Sequence, residues 1–343
     1  MKNVMLIDFL WFLILMVLFP SKAFADTETE YEFARRITPF YSRNRSPFIN
    51  IFGLPAVEPG FLIPAGKVET SMVLEVINNY SRDRRSQQSI FLDGETYLTM
   101  LSWRWGVSHK LEIGLDLSHI SHSEGVLDNF IEKWHDVFGF SNKERQETGR
   151  NQLNYLFYDK KKKFNIHQHQ TGMGDFLLTV AVPLSEWEGN PFRYMALRSG
   201  WKLPVGNPDT LHGSGNSDVY LSINADDIMM EKTWSLAIYG RIGLLVAGKS
   251  PVLPVEQHRQ IGFASIGVGR TVWEALDLKT QIDVHTAFYK NASQQLGVFS
   301  GQMVMGGTVH FPNKIDADVG VIEDIAKDTA PDLIFHLALR QQF

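Results

Sequence analysis

The chain has 343 residues, 44% of them hydrophobic, a formal net charge of −5 and no cysteine. The absence of cysteine excludes a disulfide framework, a lipoprotein attachment thiol and any thiolate metal site. A mildly acidic chain without a basic stripe is also a poor match for nucleic acid.

At the N-terminus, Lys2 precedes an apolar run from Phe9 to Phe19, which Pro20, Ser21 and Lys22 close before Ala23-Phe24-Ala25. A positive n-region, a short h-region and an A-x-A site predict a secretory signal peptide over residues 1–25, with Asp8 an unusual residue at the edge of the h-region. The run is shorter than the roughly 20 apolar residues of a spanning helix, and no later run reaches that length, so strands are the expected means of crossing a membrane. Removing a segment of charge +1 leaves 318 of the 343 residues at −6, an ordinary size for one barrel of about a dozen strands.

Residues 26–65 carry Pro39, Pro47, Pro55, Pro59 and Pro64. They read as an irregular periplasmic lead-in, with room to fold into the barrel mouth. The barrel is expected over 66–343. Its first strand runs from Lys67 to Tyr80, with Val68, Met72, Leu74 and Val76 on one face and Lys67, Glu69, Ser71 and Glu75 on the other. Tyr97 to Trp105 and Leu111 to Leu117 repeat the pattern across a tight turn at Val107 to Lys110. Further strands are expected at Phe176–Leu184, Tyr194–Leu203, Asp218–Ala225, Thr233–Val246, Ile261–Thr271, Asp277–Thr286, Gly301–Phe311 and Ile315–Ile322.

The last is Leu333 to Phe343, where Phe335, Leu337 and Leu339 alternate with His336, Ala338 and Arg340 before the terminal Phe343. Phe335, Leu337, Leu339 and Phe343 resemble the signal that the barrel-assembly machinery reads, with Gln341 a departure from it. About twelve strands, an even number, predict an all-β fold, a transmembrane antiparallel up-and-down barrel. With both termini periplasmic, connections near Val107, Trp187, Asp227, Trp273 and Asn313 are short, and those near Arg84, Pro208, Pro254 and Ala292 are longer. This alternation is the barrel's own. Trp105, Trp187, Trp234, Trp273 and Phe343 then gather near the periplasmic rim. A soluble sandwich explains neither the loop alternation nor this clustering.

The connection over 119–173 is of another kind. Leu127, Phe130, Ile131, Trp134, Val137 and Phe138 recur at helical spacing, so an amphipathic helix is expected over 124–139 in a long external loop, with the lumen as its preferred seat as a plug.

Three segments point to known families: Gly172-Met173-Gly174-Asp175, Trp201-Lys202-Leu203-Pro204-Val205-Gly206 and Gly213-Ser214-Gly215-Asn216-Ser217-Asp218. They resemble the outer-membrane family associated with the meta-pathway of phenol degradation. Leu127 to Gly139, with Phe130-Ile131-Glu132 and Trp134-His135, is similar to a proteobacterial family known only as a domain of unknown function. The resemblance runs from about Ser46 to Phe343 and implies an outer-membrane barrel without an established substrate.

Strand parity sends Lys67, Arg104, Arg198, Lys202, Arg241, Lys279 and Arg340 into the lumen, against Glu69, Glu75, Glu112, Asp116, Asp218, Asp283, Asp316 and Asp318. Such charges pair with one another or line a narrow hydrated path. His119 and Ser121 project from the external end of one strand toward the outer leaflet. That H-x-S pattern resembles outer-membrane phospholipase A, with serine as nucleophile and histidine as base, but no matching orienting asparagine is found. Lys160 to Lys163 could engage lipopolysaccharide phosphates. His167 and His169 lack a third ligand, so no metal and no cofactor are expected.

The functional expectation is a passive channel or binding barrel for a small molecule, hydrophobic ones included, in the outer membrane of a Gram-negative bacterium. Outer-membrane lipids and lipopolysaccharide are the expected surroundings. The alternatives are a lipid hydrolase of phospholipase A type and a non-transport structural or surface-interaction barrel.

Overall fold

The computed structural model describes residues 37–84, 88–127, 151–159, 162–186, 193–227, 236–290, 294–312, 314–326 and 329–343. The strands, in chain order, are β1 (Val68–Arg84), β2 (Gln88–Ser108), β3 (Leu111–Ser123), β4 (Asn154–Asp159), β5 (Lys162–Ile166), β6 (Gln170–Met173), β7 (Phe176–Glu186), β8 (Arg193–Leu203), β9 (Asp218–Asp227), β10 (Leu236–Val246), β11 (Gln260–Trp273), β12 (Leu276–His285), β13 (Ser300–Phe311), β14 (Ile315–Asp324) and β15 (Leu333–Gln342).

Twelve of them form a closed ring. From β7 onward each strand pairs antiparallel with the next, β3 joins β2 to β7, and β1 pairs with both β2 and β15. Leu74 lies opposite Leu337 on one side and Thr99 on the other, so the seam between the first and last strands is an ordinary antiparallel pair. Closure leaves no wall strand as a free edge. The three additional strands are external. β4 and β5 form a hairpin that continues β2, and β6 pairs with the outer part of β3.

Period-two alternation divides the wall into two faces. Leu221, Ile242, Ile266, Leu278 and Val319 are exposed on the outside, a belt suited to lipid. The facing parity on the same strands is buried.

Several expectations are corrected in length. β1 and β2 run well beyond Tyr80 and start well before Tyr97, so their external connection is only residues 85–87 instead of a longer loop. Above the membrane belt a two-faced ribbon has no reason to alternate: Asn78–Arg84 is polar on both faces, and Ile90-Phe91-Leu92 is a short unbroken apolar run, so neither shows the period of the wall. The helix expected over 124–139 falls outside the described residues except at its start. There Leu127 is not helical, and its N–H donates to Glu95 Oε1 at 2.6 Å. Lys160 and Lys161 also lie outside, while Lys162 begins β5 and Lys163 is exposed. Of the expected rim aromatics, Trp187 and Trp234 are outside the described residues, and Trp105 and Trp273 are exposed.

The segment 37–66 does more than enter the mouth. A ring of twelve strands encloses a space that wall side chains alone do not fill, and these residues fill it. Ile37 lies against Gly269 near the periplasmic end, and the chain climbs to a short helix, α1 (Pro47–Asn50). It then turns down to Gly66, whose N–H donates to the Gly106 carbonyl at 2.7 Å just before β1. Phe48, Ile49, Ile51, Phe52 and Leu54 at the tip join Ile90, Tyr155, Phe157, Phe263 and Phe288 in one apolar cluster that seals the external end. Pro47 at the first turn of α1 starts the helix where its missing N–H costs nothing.

Candidate functional site

The site is the contact between this internal segment and the inner wall. Its ascending limb follows β12 in a fixed register, because an extended chain and a strand share the same two-residue repeat. Lys279 Nζ donates to the Thr38 carbonyl (2.9 Å), the Phe40 N–H to Gln281 Oε1 (3.0 Å) and Ser42 Oγ to Asp283 Oδ2 (2.6 Å). Asn44 Nδ2 meets His285 Nε2 (3.0 Å), and Tyr289 OH donates to the Phe48 carbonyl (3.2 Å). Every one of these pairs is 241 residues apart.

The descending limb follows β9. The Gly53 N–H donates to Asp218 Oδ2 (2.7 Å), Asn224 Nδ2 to the Glu58 carbonyl (2.6 Å) and the Gly60 N–H to Asp226 Oδ2. Glycine at 60 is a steric requirement, since a Cβ there would lie 2.8 Å from both Ala225 Cα and the Tyr194 carbonyl. The tip is tied across: Arg43 donates to Asn50 Oδ1 (3.0 Å) and to the Leu54 carbonyl (2.6 Å).

Wall cations hold the same limb by its carbonyls. Arg241 donates to Ala56 (2.5 Å) and Pro55 (3.1 Å), and Arg198 to Pro59 (2.9 Å) and Phe61 (2.8 Å). An extended, proline-rich chain has no internal partners for its carbonyls, and buried carbonyls need donors. The guanidinium groups provide them.

Most of these cations also have a carboxylate on the wall itself. Arg104 pairs with Asp116 (2.7 Å), Arg198 with Glu112 (2.6 Å), Lys279 with Asp318 (2.8 Å) and Arg340 with Asp316 (3.0 Å). The segment adds Glu58, 2.7 Å from Arg104, and Arg45, 2.6 Å from Glu75. The Arg45–Glu75 pair is fully enclosed, both side chains at 0% exposure, with His336 Nδ1 2.9 Å from the other Glu75 oxygen.

The three sequence segments that carry the family resemblance converge on Lys202. Its Nζ lies 2.5 Å from Asp175 Oδ2, 3.2 Å from Asp218 Oδ2, 2.6 Å from Ser214 Oγ and 3.1 Å from the Ile51 carbonyl. Asp175 also accepts the Gly206 N–H (2.8 Å). One ammonium group therefore ties β8, β9, the break before β7 and the tip of the internal segment together. Strand parity does not send Asp175 into the lumen. It sits at a break between β6 and β7, where alternation stops assigning faces. The Gly172-Met173-Gly174-Asp175 motif was the available signal.

The inner face of the ring carries Arg104, Arg198, Lys202, Arg241, Lys279 and Arg340, against Glu69, Glu75, Glu112, Asp116, Asp218, Asp226, Asp277, Asp283, Asp316 and Asp318. Among the described residues of the wall strands, acids outnumber bases on this face. The remaining void beside the segment is small. A cavity of about 30 Å³ lies between Tyr41, Phe52 and Ala56 of the segment and Met100, Ile120 and Leu177 of the wall, and a second of about 10 Å³ lies near Arg241 and Asp283. These hold a water or two and no organic solute.

His119 and Ser121 do not form a dyad among the described residues: His119 Nε2 meets Thr171 Oγ1 at 3.1 Å, and Ser121 is buried within the β3–β6 pair, opposite Thr171. His167 and His169 are exposed, and His167 Nδ1 lies 3.3 Å from Asn165. Phe335, Leu337 and Leu339 lie on the outward parity of β15, and Phe343 is exposed.

A family model described as "Protein of unknown function (DUF3187)" matches residues 12–343. The chain belongs to this family. No curated protein matches it. Among solved structures, the COG4313 outer membrane channel from Pseudomonas putida F1 is similar with a TM-score of 0.56 at 12% identity, over 84% of this chain and 100% of that one. The Pseudomonas putida toluene transporter TodX (TM-score 0.38, 9% identity, 89% and 93% covered) and the Ralstonia pickettii toluene transporter TbuX (0.36, 10%, 82% and 90%) superpose less well. The DUF3187 chain thus has the fold of an outer-membrane β-barrel.

Proposed function

We propose that this protein is an outer-membrane channel for small solutes, closed by its own residues 37–65 and opened when they withdraw toward the periplasm. The observation that carries this reading is the pairing within the wall. Arg104, Arg198, Lys202, Lys279 and Arg340 each keep a wall carboxylate when the segment is removed. The segment contributes mainly backbone groups, which water can replace at modest cost. An emptied lumen would be a hydrated path whose five named cations keep their carboxylates, instead of a row of bare buried ions. The fold shared with a protein described as an outer membrane channel supports the same reading. An apolar stripe on the inner wall, Val73, Ile77, Leu98, Met100 and Ile120, gives a solute with apolar surface somewhere to slide.

A disulfide lock tests it, since the chain has no native cysteine. A Cβ at Gly53 would lie 3.1 Å from Asp218 Cβ, slightly inside the roughly 3.5–4.5 Å of a disulfide, so a small shift suffices. In Gly53→Cys/Asp218→Cys, solute influx into proteoliposomes should be absent when oxidised and return on reduction. Equal influx in both states, or none in either, would count against the channel and favour a barrel whose filled lumen serves only its architecture.

A further inference from the structure

We infer that the solutes admitted by this lumen are small amphipathic cations, an amine or guanidinium group carried on an apolar or aromatic body. The inference rests on the channel reading above and names its substrate class. The internal segment occupies the path, so what it presents to the wall is a mould of what the wall accepts. Beside the Glu58 carboxylate and the carbonyls that meet wall cations, six of its donors end on six wall carboxylates: Tyr41 OH on Asp116 (2.5 Å), Ser42 Oγ on Asp283 (2.6 Å), Arg45 Nε on Glu75 (2.6 Å), the Gly53 N–H on Asp218 (2.7 Å), the Ile63 N–H on Glu112 (2.7 Å) and the Gly60 N–H on Asp226; Asp116, Glu112 and Asp218 also pair with wall cations, which leaves Glu75 and Asp283 as the acids a solute would meet first. These contacts climb the whole path from the periplasmic to the external end.

Glu75 is the most selective of the six. It lies on the inner face of β1 between Val73 and Ile77, with Ile334 across the seam, so an acid is set in an apolar stripe. The segment meets this combination with a guanidinium, Arg45, and an aromatic ring, Phe40, which packs in the same apolar cluster. A cation without an apolar body leaves the stripe wetted, and an apolar molecule without a charge leaves Glu75 with His336 as its one remaining partner from the wall. When the segment withdraws, the excess of inner acids over bases faces water. Rings of carboxylates favour cations, and low-dielectric walls concentrate the field along the path.

The test uses the full chain in planar bilayers, with concentration gradients of benzyltrimethylammonium chloride and of sodium benzenesulfonate, both permanently charged. The expected result is a preference for the aromatic cation of roughly tenfold, the low end of what charged clefts give. It should exceed the preference for tetramethylammonium, which lacks the ring. Glu75→Gln and, separately, Asp283→Asn should each lower the ratio, the second without disturbing Arg45. Current with no cation preference, or with a preference for the sulfonate, overturns the inference and leaves the channel intact. No current in the native chain or in Arg45→Met, which loosens the segment, overturns both.

Discussion

Arg45→Met is the sharpest perturbation of the closed state. It keeps side-chain length and apolar volume while deleting the guanidinium that meets Glu75 at 2.6 Å, both side chains being fully enclosed. Removing one partner of a buried ion pair costs about 3–5 kcal/mol, because the other charge stays behind without compensation. Two features place this pair at the low end. His336 Nδ1 remains 2.9 Å from Glu75, and Arg45 Nη2 has no partner in the closed state, so deleting it removes an existing cost. About 3 kcal/mol corresponds to a change on the order of 100-fold in the closed-to-open ratio. Arg45 also donates to Asn50 (3.2 Å), so the tip loosens with the limb. The assay is maleimide labelling of a single cysteine at Ser42→Cys, fully buried against Asp283 in the closed lumen. With labelling limited by the open fraction, the rate should rise about 100-fold when Arg45→Met is added. An unchanged rate, in protein whose folded barrel still resists heat in gels, would refute the view that the Arg45–Glu75 pair holds the segment in place.

Two further outcomes follow from the packing. Gly60→Ala places a methyl group 2.8 Å from Ala225 Cα and the Tyr194 carbonyl. It should dislodge the descending limb, raising Ser42→Cys labelling while leaving the denaturant midpoint of the wall nearly unchanged. Ile266→Arg, at an outward position 61% exposed in the middle of β11, should cost about 2–4 kcal/mol if that face meets lipid, read from urea unfolding in vesicles. A neutral result would contradict the lipid-facing assignment.

The wall was legible because membrane and lumen impose period two on every strand. Leu111, Ile113, Leu115 and Leu117 against Glu112, Gly114 and Asp116 announce a strand and both its faces in seven residues. The path of residues 37–66 was not legible. An extended segment whose hydrogen bonds run to side chains of β9 and β12 has no repeat of its own, and its prolines read as loop. Its composition still carried a clue, since Ile37, Phe40, Phe48, Ile49, Ile51, Phe52, Phe61 and Ile63 are too apolar for a segment left in periplasmic water. Inner charges followed from parity, yet their partners did not. Arg198 meets Glu112 on another strand, and nothing local in either sequence links them.

The fixed offset of 241 residues between the ascending limb and β12 has a bearing on how the molecule is made. Glu75 and His336, which face each other across the seam that closes the ring, are 261 apart. The ascending limb and the seam therefore wait for nearly the same length of chain to arrive, and neither can form from early sequence alone. Such distant contacts are slow to find because a long loop must close before any of them is rewarded. Seating the ascending limb and shutting the barrel belong to one late event, so a segment that precedes every strand is among the last to find its place.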